Sequence, residues 1–113
     1  MDREKLDNLH DLTGRVAIIT GGTRGIGKAI AEGFGVAGAK IAVASRKADA
    51  CNAMVAHLAE MGIEAIGVPT HMGELDSISN LVDETVAAFG RIDILVNGAA
   101  NALYRNDGKG GFT

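Results

Sequence analysis

The chain has 113 residues, 47% of them hydrophobic, with a formal net charge of −3, which allows one domain with a core of its own. The acidic balance argues against a nucleic-acid partner, and the single cysteine, Cys51, excludes an internal disulfide. No Cys/His spacing suits a metal, residues 1–14 are too charged for a signal peptide, and no run reaches the roughly 20 apolar residues that span a bilayer, so the expectation is a soluble cytoplasmic protein without membrane contact.

Residues 1–14 read as a polar lead-in, in which Leu6, Leu9 and Leu12 lay one apolar stripe on the body. The first strand is Val16 to Thr20, apolar without alternation, as a strand covered on both faces should be. A helix follows from about Gly25 to Ala37, with Ile26, Ala29, Ile30, Phe34 and Ala37 on one face and Gly38 stopping it. Lys40 to Ser45 is the second strand. Ala48, Cys51, Val55 and Leu58 form the stripe of a second helix that ends at Gly62, with Cys51 in the core. Glu64 to Val68 is the third strand, and Pro69 at its end suits a sheet edge because it donates no ladder hydrogen bond. Leu75 to Phe89 is the cleanest amphipathic helix, with Ile78, Leu81, Val82, Thr85, Val86 and Phe89 in register. Ile92 to Asn97 is the fourth strand. The periodicity stops after Ala100, so residues 15–100 form a partial domain and 101–113 an irregular tail.

Strands alternating with helices across short loops imply an α/β fold, a Rossmann-like, doubly wound parallel sheet with helices on both faces, truncated after strand 4. Ligands of such sheets sit beyond the carboxyl ends of the strands. Here those ends are residues 20–27, Ser45-Arg46, residues 70–72 and residues 97–99, all on one rim.

The stretch Thr20-Gly21-Gly22-Thr23-Arg24-Gly25-Ile26-Gly27 joins a strand to a helix through glycines. Glycines 21, 25 and 27 permit positive φ and present no Cβ to a ligand, while the first helical N–H groups and the helix dipole attract an anion. Gly33, Gly35 and Gly38 match Gly-x-Gly-x-x-Gly but lie at the end of a helix and before a strand, the reverse of a cradle's context, and read as close packing and a helix terminus.

The Thr-Gly-x3-Gly-x-Gly spacing resembles the glycine motif of short-chain dehydrogenases/reductases, and Arg91-Ile-Asp-Ile-Leu-Val-Asn97 resembles the segment leading into that family's Asn-Asn-Ala-Gly motif. Residues 13–100 together look like the amino-terminal half of such an enzyme. Gly98 and Ala100 depart from the second Asn and the Gly of the latter motif, and His71 stands where the family usually has Asp or Asn. The resemblance implies that Gly21, Thr23, Arg24, Gly25, Ile26 and Gly27 hold the pyrophosphate and adenosine ribose of a nicotinamide cofactor. It implies that His71 and Met72 border the adenine and that Asn97 and Ala99 line the cofactor near its ribose. Asn97 has a second reading, as a tie between neighbouring strands.

An acid at the end of the second strand would bond a free ribose 2′-hydroxyl and repel a 2′-phosphate, but Ser45 and Arg46 stand there. With Arg24, and with Lys47 beside them, they favour NADP(H), NAD(H) remaining possible. The family's catalytic Ser, Tyr and Lys lie downstream of strand 4. The only tyrosine is Tyr104, with Gly108 rather than Lys four positions on, and Arg91 stands roughly where the Ser would precede it, so no catalytic residue is assigned. The resemblance implies an NADP(H)-dependent oxidoreductase that moves hydride between nicotinamide and a carbonyl or alcohol, represented here by its cofactor-binding half and lacking most of the family's usual oligomer interfaces. A non-catalytic nucleotide-binding module and a truncated product without function are the alternatives.

Overall fold

The computed structural model describes residues 11–21 and 23–97. Its elements are β1 (Val16–Thr20), α1 (Gly25–Val36), β2 (Lys40–Ser45), α2 (Ala48–Glu60), β3 (Ala65–Pro69), α3 (Leu75–Phe89) and β4 (Ile94–Asn97). The strands form one sheet in the order β3-β2-β1-β4, with every neighbouring pair parallel.

That order puts helices on both faces. A right-handed crossover taken from β1 outward to β2 and β3 lays α1 and α2 on one side, and the return past β1 to β4 lays α3 on the other. The packing follows suit. Ala17, Ile19, Ile41 and Val43 meet Ala31 of α1 and Met54 and Leu58 of α2, while Ile18, Ala42, Ala44 and Val68 meet Leu81 of α3. Sandwiched in this way, β1 is buried along its whole length, so it needs no polar alternation.

Pro69 ends β3, which is an outer strand, as its missing donor required. Leu12 packs against the α1/α2 side of the core, whereas Leu6 and Leu9 lie outside the described residues. So do the tail 101–113 and Ala99-Ala100. Of the misleading glycine triplet, Gly35 faces the Ile63 side chain with no room for a Cβ, and Gly38 leaves α1 against Thr13. Both are packing positions.

Several boundaries and faces differ from the sequence expectation. The third strand runs one residue later than expected. The fourth begins at Ile94 rather than Ile92, because Asp93 is occupied in closing the sheet's lower end on Val16: its N–H donates to the Val16 carbonyl (2.9 Å) and its carboxylate accepts the Val16 N–H (2.9 Å). On α1 the buried positions are Gly27 and Ala31, with Ile30 and Phe34 alongside, whereas Ile26 is 64% exposed. Ile26 lines the cleft described below. On α2 the stripe is Cys51, Met54 and Leu58, and Ala48 is exposed. On α3, Leu81 and Thr85 face inward, Thr85 satisfying its hydroxyl on the Leu81 carbonyl (2.7 Å), and Val82 and Val86 are exposed. Among the described residues no helix is long and apolar enough to cross a membrane.

Candidate functional site

The carboxyl ends of β1, β2 and β3 open into a cleft of about 1260 Å³ walled by α1 and α2. Its floor is the turn from β1 to α1. Gly21, anchored by its N–H on the Ala44 carbonyl (2.8 Å), has φ 66°, and Gly25 has φ 62°, a region L side chains adopt only with strain. Gly27 departs from the expectation of positive φ: it lies inside α1 and is buried.

The entry to α1 is suited to an anion. Arg24 caps it in extended conformation without a side-chain hydrogen bond, and the first turn carries no acidic residue. By contrast, α2 and α3 have Asp49 and Asp76 in their first turns. The leading N–H groups of α1 thus lack a side-chain acceptor from the cap residue, and the helix dipole there has no local counter-charge.

Cations gather around this entry. Arg24, Lys28, Arg46 and Lys47 all line the cleft. The carboxylates that form close pairs among the described residues are taken by other side chains: Arg15 and Arg91 share Asp93 at the amino-terminal end of the sheet, and His57, on the α2 wall of the cleft, hydrogen-bonds Glu32 of α1. No carboxylate therefore pairs with any of the four cleft cations among the described residues. Arg91, through paired hydrogen bonds, and the Val16 N–H hold the Asp93 carboxyl below its ordinary range.

Ser45 ends β2 at the cleft, half-buried, its carbonyl accepting the Thr70 N–H (2.7 Å) and the Cys51 thiol (3.8 Å). Cys51 itself is buried against β3, and that burial pushes its thiol pKa up. Across the opening lie Thr70, His71, Met72 and Gly73. The His71 Nδ1 accepts the Gly73 N–H (3.1 Å), which leaves the proton of the neutral ring on Nε2 as a donor.

The structure thus brings Gly21, Thr23, Arg24, Gly25, Ile26, Ser45, Arg46, His71 and Met72 to one cleft. Gly27 and Asn97 are not among its lining residues. The Asn97 Oδ1 accepts the Thr20 hydroxyl (2.7 Å), so its side chain ties β4 to β1, the second of the two readings the sequence allowed. Ala99 and Tyr104 lie outside the described residues. Sequence reasoning overlooked Lys28, and it placed Thr70 on the rim without giving it a role. The helical period held a signal for the first, because Lys28 falls one turn after Arg24 on the same side of α1.

The short chain dehydrogenase family profile matches residues 15–109, from the start of β1 into the segment beyond Ala100. The chain belongs to the short-chain dehydrogenase family. It is 46% identical over 91 residues to "Short-chain dehydrogenase/reductase SDRA" of Arabidopsis thaliana, covering 80% of this chain and 36% of that protein. A 7α-hydroxysteroid dehydrogenase crystallised with NADH and 7-oxo glycochenodeoxycholic acid superposes with a TM-score of 0.79 at 38% identity, over 86% of this chain and 37% of that one. A metagenomic short-chain oxidoreductase in complex with NADP superposes with a TM-score of 0.69 at 34% identity, over 74% of this chain and 38% of that one. The short-chain dehydrogenase chain described here therefore spans little more than a third of these relatives. The shared fold accepts NADH in one of them and NADP in another.

Proposed function

We propose that this chain is the cofactor-binding half of an NADP(H)-dependent short-chain oxidoreductase, and that it carries no catalytic residue within residues 1–113. One observation bears most of the weight: β2 ends in Ser45-Arg46 at the cleft, with Arg24 opposite and no carboxylate paired to either cation among the described residues. The uncapped, acid-free start of α1 suits the pyrophosphate, and the Arg24/Arg46 pair suits a 2′-phosphate. The bound nicotinamide would supply the hydride acceptor or donor for a carbonyl/alcohol pair. The chain's own part is to bind and orient that cofactor, Gly21 to Ile26 holding the phosphates and His71 and Met72 bordering the adenine. Ala99, by the family pattern, lines the ribose.

Charge-assisted hydrogen bonds contribute roughly 1.5–3 kcal/mol when well formed. Both guanidinium groups are exposed, so solvent screening moves the preference to the low end, about tenfold for NADPH over NADH. Fluorescence titration of the folded 113-residue chain with each cofactor tests this. Saturable binding that favours NADPH is expected, and Ser45→Asp with Arg46→Ala should reverse the order. Equal affinities that the double substitution leaves unchanged would defeat the proposal.

A further inference from the structure

We propose that Lys28 is a third cation for the 2′-phosphate of NADP(H), and that the hydrogen bond between Glu32 and His57 keeps it free for that role. The inference rests on the NADP(H) reading above and adds to it a residue outside the glycine motif and outside the end of β2.

Arg24, Lys28 and Glu32 succeed one another at four-residue intervals, so they share one side of α1. The first two line the cleft, and the main-chain N–H of Lys28 bonds the Arg24 carbonyl (3.3 Å). Opposite them the α2 wall presents Ala50 and Ala53, whose short side chains leave space, and α2 opens with Arg46 and Lys47 just before it. Lys28 is half-buried and lies on the α2 side of α1, about 6 Å along the helix from Arg24 at 1.5 Å per residue. The pyrophosphate is placed by the first-turn N–H groups, whereas a group standing between α1 and the start of α2 lies within reach of Lys28. A phosphate monoester carries a charge of about −1.5 to −2 and three acceptor oxygens, each with more than one lone pair, so it has room for an ammonium donor beside two exposed guanidinium groups.

Glu32 is the natural competitor. Four residues after Lys28, it could form the helical ion pair that would draw the ammonium away from the cleft, though with Lys first this is the weaker orientation of such a pair. Its carboxylate is engaged elsewhere, accepting the His57 Nε2–H of α2 at 2.6 Å. Lys28 has no ion-pair partner among the described residues. His57 also lines the cleft, but the role assigned to it here runs through Glu32 and Lys28, and rescue by Glu32→Gln separates that route from a direct contact with the cofactor.

The test compares NADPH and NADH titrations of the 113-residue chain with those of Lys28→Met, Lys28→Gln, Arg46→Ala, His57→Ala and the pair His57→Ala/Glu32→Gln, each checked for folding by circular dichroism. Both Lys28 variants should weaken NADPH by about three- to tenfold and NADH by less than about twofold. His57→Ala should weaken NADPH by about twofold, and adding Glu32→Gln should restore it. If Arg46→Ala selectively weakens NADPH while the Lys28 variants weaken both cofactors equally or neither, Lys28 has no such role and the NADP(H) reading stands. Should Arg46→Ala also leave the preference unmoved, or the parent chain bind neither cofactor, that reading falls and this inference with it.

Discussion

Gly67 lies in β3 where α2 approaches most closely, and replacing it with alanine probes how tightly the wall of the cleft is held. A Cβ at that position would stand 2.9 Å from the Cys51 Cβ, 3.1 Å from its carbonyl oxygen and 3.2 Å from its carbonyl carbon. Favourable carbon contacts begin at about 3.5 Å, and two of these three atoms belong to helix backbone, so no rotamer change relieves the overlap. The helix itself must retreat by several tenths of an ångström. Overpacking of this kind costs about 1–3 kcal/mol, partly offset by about 0.4–1 kcal/mol from the stiffer unfolded chain. A net loss of about 1–2 kcal/mol lowers the melting temperature of a domain this small by roughly 4–16 °C. Because α2 starts directly after Arg46 and Lys47, NADPH affinity should fall as well. Thermal melts by circular dichroism measure the first effect, with Gly33→Ala as the comparison: a Cβ there meets nothing within 4 Å, and its place inside α1 predicts a gain of about 0.5–1 kcal/mol. A Gly67→Ala chain as stable as its parent would refute the reasoning.

Other consequences can be measured on the same material. Thr20 is 1% exposed and donates to Asn97, so Thr20→Val should cost about 1 kcal/mol and speed amide exchange in β4, and unchanged exchange would remove the tie from the account. Asp93 titrates below its ordinary range in the folded chain, so its contribution is fully present above the unfolded carboxylate pKa of about 4 and is lost as the pH falls through the lower folded value. Acid titrations should therefore show a shallower loss of stability in Asp93→Asn than in the parent, and parallel curves would rule the linkage out. Cys51 is fully buried with its thiol pKa raised, which predicts that a thiol reagent at pH 8 modifies it only as the chain unfolds. Rapid stoichiometric reaction of the native protein would contradict its placement.

What the sequence determined by itself was whatever depends on neighbours along the chain. Continuous apolar runs bounded by glycines marked β1 and β2 at their observed limits, and a sustained helical period marked α3. The glycine motif located the cradle, because a strand, a tight turn and a helix start are local events. Alternation of strands and helices implied a parallel sheet, and Pro69 marked an edge. The tertiary structure decided the rest, because it depends on which surfaces meet. Whether α1 buries Ala29 or Ala31, and α2 Val55 or Met54, turns on a rotation of a fraction of a helical turn, set by the sheet beneath and invisible to a period count. Of the two readings the sequence left to Asn97, the tie between strands comes into being only when β4 is laid beside β1, where the Thr20 hydroxyl meets it. The sequence assigned Lys28 no part, and its place on the cleft exists only once α2 is packed across from it and Glu32 meets His57. Charge can be counted along a chain, but which cations lack a counter-ion is a property of contacts between segments 25 residues apart, as from Glu32 to His57, and only folding makes those.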